Sequence, residues 1–245
     1  MSTVLDVEKT IDQWNEVFTD NARKPLRDLS QYSTGTLEWL MMEHFQFSFR
    51  NTKFLWDAAE TTGGFDVEGV KKELVRNFKE ESGHAALYKA ALNKVGCDVE
   101  ARAEFQPTSH FLDTLGGVCK GEPSFVLGAM FATETAAIFE HQVFRDVSVE
   151  VIARRGSGDL GKPLVAFHDL HLDGVEQSHK DELGIFLRGI YGDQAIAERE
   201  GVRPTIVPKQ ALEGGRIAID LMREWWDNLF AEMKNKEKAA VAASA

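Results

Sequence analysis

Apolar residues recur at spacings of three, four and seven over most of the chain, the period of helices that bury one face. Only six prolines interrupt it. The pattern predicts seven helices and an all-α fold. The first covers residues 4–20 and turns Ile11, Trp14, Val17 and Phe18 inward. After a loop through Asn21–Pro25, Ser33 or Thr34 caps a second helix that runs to about Glu60 and stops at Gly63-Gly64. Its inner side carries Leu37, Met41, Phe45, Phe49, Thr52 and Trp56. A third spans about 67–95 and ends at Gly96, and a short fourth opens at Pro107 and breaks at Gly116-Gly117. The fifth runs from Ser124 to about Val151. Beyond a basic loop at Arg154–Lys162, the sixth runs from near Pro163 to about Tyr191-Gly192. A loop at Gly201–Pro208 leads to the seventh, which starts near Lys209 and shows the apolar stripe Ile217, Leu221, Met222, Trp225, Leu229 and Met233. Residues 1–233 read as one helical domain. The Lys- and Ala-rich tail, 234–245, reads as disordered.

Several polar residues sit where this pattern calls for apolar ones. Glu81 and His84 are three apart, about 300° of rotation and roughly 4.5 Å of rise, so on one helix they share a face. Leu74, Phe78, Leu87 and Tyr88 flank them, and an inward carboxylate there requires a partner. Glu80 beside them is expected to be a solvated neighbour. Glu134 lies within Met130–Ile138, with Met130, Phe131, Ala137 and Ile138 one turn away on either side, and Glu is rarely buried unless paired. Three of the seven histidines, His168, His171 and His179, fall within twelve residues among acids. Glu176 and His179 repeat the spacing of Glu81 and His84. Glu43 and His44, about 100° apart on their helix, should divide into one inward and one exposed residue. His110 reads as surface or capping.

Composition narrows the class of function. With 28 Lys+Arg against 39 Asp+Glu, the net charge of −11 argues against nucleic-acid binding. Cys97 and Cys119 form neither a disulfide framework nor a C-x-x-C unit, which points to small core residues in a reducing compartment. No basic-then-apolar leader opens the sequence and no run reaches the ~18 apolar residues of a membrane span, so a cytoplasmic location is expected.

Two Glu-x-x-His units, a lone Glu and an extra His offer six N/O donors: Glu81, His84, Glu134, His171, Glu176 and His179. Carboxylates and imidazoles without thiolates suit two iron ions rather than an iron–sulfur cluster or structural zinc. Arg-Asn-Phe-Lys-Glu-Glu-Ser-Gly-His-Ala at 76–85, Ala-Thr-Glu-Thr at 132–135 and Leu170–Leu183 together resemble the ligand-bearing segments of the haem-oxygenase-like di-iron oxidases and oxygenases. The Glu-x-x-His form is that of the alkene-forming fatty-acid decarboxylase branch. The resemblance covers roughly residues 35–190 in order and spacing. It implies a haem-free seven-helix bundle holding two iron ions (Fe2+/Fe3+), with O2 as co-substrate.

One departure stands out. The last motif of that family is His-x-x-x-Asp-x-x-His, whereas here His171 precedes Glu176 by five residues and His179 by eight. On a regular helix these lie about 140° and 80° from His171. A π-bulge absorbing one residue changes the offsets to roughly 40° and 340°, and Gly174 would ease it. Asp173 is the rival carboxylate. His168 is about 20° from His179 but roughly 16 Å away along a straight helix, which leaves it outside a shared iron site.

The resemblance further implies that Glu81, His84 and His171 hold one iron and Glu134, Glu176 and His179 the other. It implies O2-dependent chemistry on a small carboxylate- or amino-acid-derived metabolite: N-oxygenation, C–C cleavage or oxidative decarboxylation, as in natural product biosynthesis. Phe45, Phe49 and Phe131 are candidate pocket lining, and Arg50 or Arg188 candidate clamps for an amino acid. The partners expected are a small-molecule substrate, with neither nucleic acid nor membrane; an external electron donor and a homodimer are compatible with this. Two alternatives remain: a non-catalytic metal-binding or regulatory protein, and a thiaminase-like hydrolase of the same fold. The hydrolase would need a nucleophilic Cys beside acids, and neither Cys lies near the Glu-rich segments. A haem oxygenase would need an axial His on the first helix, which has none.

Overall fold

The computed structural model describes residues 6–63, 69–192 and 206–243. The expected first-helix start at residue 4, Gly64 of the expected stop, the third-helix start near 67 and residues 201–205 of the last loop lie outside them.

Among the described residues the expected seven rods are present, and two of them are broken, giving nine α-helices: α1 (Val7–Arg23), α2 (Thr34–Thr62), α3 (Val70–Glu81), α4 (His84–Lys94), α5 (Gln106–Val118), α6 (Pro123–Arg155), α7 (Lys162–Leu170), α8 (Glu176–Gly192) and α9 (Pro208–Ala243). A π-type turn, His171–Val175, joins α7 to α8. Asp6 caps α1 by accepting from the Lys9 N–H, and Ser33 caps α2 by accepting from that of Thr36. No described helix is long and apolar enough to cross a membrane.

Helix α6 is the central rod, packed against α9, α2, α8, α7 and α1. Its approach to α9 depends on two glycines: a Cβ at Gly128 would stand 1.9 Å from the Ala211 carbonyl oxygen, and one at Gly214 1.8 Å from that of Phe125. Backbone there cannot yield without moving a helix. Gly128→Ala is therefore expected to cost about 1–3 kcal/mol or more, read as a lowered midpoint in urea.

Three expectations about helices are corrected. The rod expected over 67–95 breaks at Ser82-Gly83, where Gly83 has φ +102°, a left-handed conformation that costs other residues about 1–2 kcal/mol. Gly116-Gly117 does not end α5, which continues to Val118. The stretch from Lys234 is not disordered: α9 continues through it to Ala243. Ala, Lys and Glu favour helix, and partners hold it. The Ser33 N–H and Oγ–H donate to Glu237 Oε1 at 2.8 and 2.9 Å, and Lys236 lies 4.9 Å from the Trp39 ring centre.

On α2 the inner face differs from the expected stripe. Leu37, Met41 and Phe45 are buried, but Phe49 and Trp56 are 59% and 45% exposed, while Phe47 and Phe54 turn inward. Glu43 and His44 do not divide into one inward and one exposed residue; both are buried, because α2 packs on two sides. Glu43 accepts from Arg102 Nη1 at 2.7 Å. His44 faces the opposite side, stacked on Phe144 with ring centres 3.8 Å apart. His110 is exposed, as expected.

Candidate metal centre

All six expected donors meet in the interior, and both rod breaks fall among them. Because α3 ends at Glu81 and α4 begins at His84, the pair no longer shares one regular helix; the Gly83 turn nevertheless brings His84 Nδ1 to 3.0 Å from Glu81 Oε2. His171 Nε2 lies 3.1 Å from the same His84 nitrogen and 3.8 Å from Glu81 Oε2. Glu81, His84 and His171 thus form one group of converging donors, with ligand atoms within 4.8 Å of one another.

The second break produces the other half. Within His171–Val175, Asp173 (φ −80°, ψ 37°) and Gly174 (φ +97°, ψ −6°) leave the helical region. The kink takes up the extra residue and leaves His171, Glu176 and His179 all buried on the same side of the bundle. Asp173 is exposed and belongs to no such cluster among the described residues, so Glu176 is the inward carboxylate. Glu81, Glu176 and His179 form a further group, and His179 Nδ1 stands 3.2 Å from Glu134 Oε2 and 3.7 Å from Glu176 Oε2.

The structure adds residues that the spacing argument passed over. His141 Nε2 is 3.4 Å from Glu176 Oε1, and its ring stacks on that of His171 with centres 4.0 Å apart. It joins His171 and Glu176 in a third donor group. Its signal was present in the sequence: seven residues after Glu134 is about 340° of helix, the same face two turns on. His168, expected either behind the ligands or at the surface, is buried behind them, its Nδ1 3.1 Å from Nδ1 of His141. Glu80 is not a free solvated neighbour; its Oε2 lies 2.9 Å from His179 Nε2. Behind this layer, Glu140 accepts from Trp226 Nε1 at 3.1 Å and lies 3.8 Å from His44.

Electrostatics separate the donors into two kinds. Burial pushes Glu81 up, but hydrogen bonds from His171 and His84 outweigh it and hold the carboxyl down at about 2. Glu176 is held low in the same way by His141 and His179. Burial dominates at Glu134, which is raised, and at Glu140, raised to about 7. It also keeps His44, His141 and His168 below the usual imidazole range. Burial opposes a charged His179, yet hydrogen bonds to Glu134 and Glu176 carry it up to about 11.

A cavity of about 30 Å³ adjoins the cluster, walled on the α2 side by His44, Phe47, Ser48 and Asn51. That is room for about one or two water-sized molecules. Of the expected lining, Phe45, Phe49 and Phe131 do not face it, and Phe47 does. Arg50 and Arg188 do not reach it either: Arg50 lies 3.7 Å from Asp113, and Arg188 donates to Glu8 at 2.8 Å. Cys97 and Cys119 are buried elsewhere, and burial pushes both thiols up to about 12.

The fold has solved relatives. A CADD-like protein of unknown function from Nostoc punctiforme PCC 73102 superposes with a TM-score of 0.74 at 23% identity, over 93% of this chain and 96% of that one. A second crystal structure of that protein gives 0.72 at 23%, over 94% and 96%. A domain of unknown function with a haem-oxygenase-like fold from Shewanella denitrificans OS217 gives 0.65 at 15%, over 95% of each chain. No protein-family model matches the sequence, and no curated protein does. The chain has the haem-oxygenase-like, CADD-like all-helical fold, and its buried His/Glu clusters have the donor set to coordinate metal.

Proposed function

We propose that this protein is a haem-free, non-haem di-iron oxidase or oxygenase that uses O2 on a small carboxylate- or amino-acid-derived metabolite. The observation that carries the reading is the convergence of six N/O donors, five of them buried and His84 half-buried, from five segments of the bundle. The donors fit a pair of hard cations. Glu81 Oε1 is buried with no hydrogen-bond partner, and three carboxylates, Glu81, Glu134 and Glu176, crowd one buried site. A buried oxygen left without a partner, and carboxylates that repel one another at close range, are costly unless a cation joins them. Glu81, His84 and His171 would hold one iron; Glu134, Glu176 and His179 would hold the other, with His141 beside Glu176.

Bound iron(II) supplies the electrons and open coordination positions that let O2 react with a closed-shell organic molecule. The chain supplies the rest. His171 donates its Nδ1–H to the Phe167 carbonyl at 2.7 Å, which fixes the tautomer with Nε2 facing the cluster. Tight packing leaves room beside the donors for no more than about one or two water-sized molecules. At about 30 Å³ the cavity has room for O2 but for neither an amino acid nor an acyl chain, so a substrate would enter by displacing side chains on the α2 side. No Lys or Arg is among its described lining residues, so a substrate carboxylate would bind at the metals. The Ser48 hydroxyl and Asn51 amide would meet a neutral or amine group instead. N-oxygenation, C–C cleavage and oxidative decarboxylation all fit this arrangement.

Anaerobic titration with Fe(II) tests the reading, with an expected end point near two per chain; uptake near zero under saturating Fe(II) overturns it. A non-catalytic metal-binding protein is the second reading, since the clusters alone support coordination. Substrate-triggered O2 consumption by the iron-loaded protein separates the two.

A further inference from the structure

Glu80 comes from the exposed side of α3, yet it contacts a donor that is wholly buried. Its side chain is 40% exposed and that of His179 is 0% exposed. The two faces of the His179 ring have different partners. Nδ1 looks inward to Glu134 and Glu176, and Nε2 meets Glu80 Oε2 at 2.9 Å. An ionised carboxylate only accepts, so in the neutral imidazole the hydrogen belongs on Nε2 and the lone pair on Nδ1. His171 is fixed the other way round, by the Phe167 carbonyl on its Nδ1. The two histidines therefore offer opposite nitrogens to the cluster, each set by an outer partner.

Glu80 is itself held. Its other oxygen accepts from Arg76 Nη1 at 2.8 Å, and Arg76 is clamped one turn back by Glu73, with Nε donating to the two carboxylate oxygens at 2.9 and 3.1 Å. Neighbouring residues at the end of α3 thus serve the centre in two ways: Glu81 from inside and Glu80 from outside.

We propose that Glu80, braced by Arg76, is a positioning residue that fixes the His179 tautomer and presents its Nδ1 to the metal. The inference rests on the di-metal reading and assigns Glu80 no bond to the metal itself. Outer carboxylates of metal-binding histidines typically account for 10–100-fold in affinity.

The test titrates the intact protein with Co(II) under argon and reads both affinity and the d–d absorption band. Glu80→Ala should weaken one of two sites by about 10–100-fold and shift the band. Glu80→Gln, which keeps an oxygen to accept from Nε2–H, should recover most of both. Arg76→Gln should fall between them. In the Zn(II)-loaded, 15N-histidine-labelled protein, His179 should carry its proton on Nε2. Glu80→Ala with wild-type affinity and band overturns the proposal, as does Glu80→Gln as damaging as Glu80→Ala, the result expected of a direct ligand. A wild-type protein that takes up no Co(II) overturns the di-metal reading and this inference with it. Two sites filling normally in every variant overturns the inference alone.

Discussion

Glu134→Ala is expected to lower iron content from two per chain to one, a larger loss than the roughly 10–100-fold cost of an outer partner. Glu134 belongs to none of the three tightest donor groups among the described residues, and it joins them from α6 by facing His179 Nδ1 at 3.2 Å. The same contact gives a pH signature. In the metal-free protein His179 is raised to about 11, so across the neutral range its ring carries a proton that a metal must displace. Affinity at that site should therefore rise roughly tenfold per pH unit, with one proton released per metal bound. Glu134→Ala removes a carboxylate that holds this proton, so the pH at which the slope flattens should fall as well as the affinity. Calorimetry in buffers of different ionisation enthalpy measures both. Full iron content and full O2 reactivity in Glu134→Ala would make the di-iron assignment wrong.

Deleting Gly174 is expected to leave metal stoichiometry intact, whereas replacing it with alanine is expected to damage it. The deletion places Glu176 and His179 four and seven residues after His171, about 40° and 340° on a regular helix, so all three stay on one face without a kink. Gly174→Ala keeps the extra residue but penalises φ +97° by about 1–2 kcal/mol. A Cβ at that position meets nothing within 4 Å, so the penalty is conformational and not steric. Part of the population should then relax toward regular helix, turning Glu176 and His179 away from His171. Iron content and thermal melting of the two variants, side by side, check the prediction. Equal loss in both would mean that the kink does not serve to absorb the additional residue.

The rods were legible where burying one helix face leaves a 3.6-residue signature, as in α1 and α9; α6, buried on most sides, shows instead as a long apolar run opened by Pro123 and closed by Gly156. The site was legible where a polar residue interrupted that signature, as at Glu134, or repeated a ligand spacing, as at Glu176 and His179. The break at Gly83 was not. Glycine tolerates both helix and left-handed turn, and nothing in the local spacing selects between them. His141 was hidden by Glu140, because neighbouring polar residues on a helix look like a solvated face unless both sides of it are known to be buried. Glu80 was hidden for the converse reason: its carboxylate is partly exposed, and nothing local reveals that the ring it meets comes from a helix 99 residues away. The stripe on α2 failed past Phe45 since that helix packs against several neighbours in turn, and no single face stays inward along its length.

The extension of α9 to Ala243 makes one helix a clamp on two parts of the molecule. Glu237 completes the cap of α2 at Ser33, and Trp226 donates to Glu140 in the layer behind the donors. The helix that walls the cavity and the support behind the centre are thus held from the same rod. A truncation within α9 removes none of the donors, yet it takes away packing that aligns them.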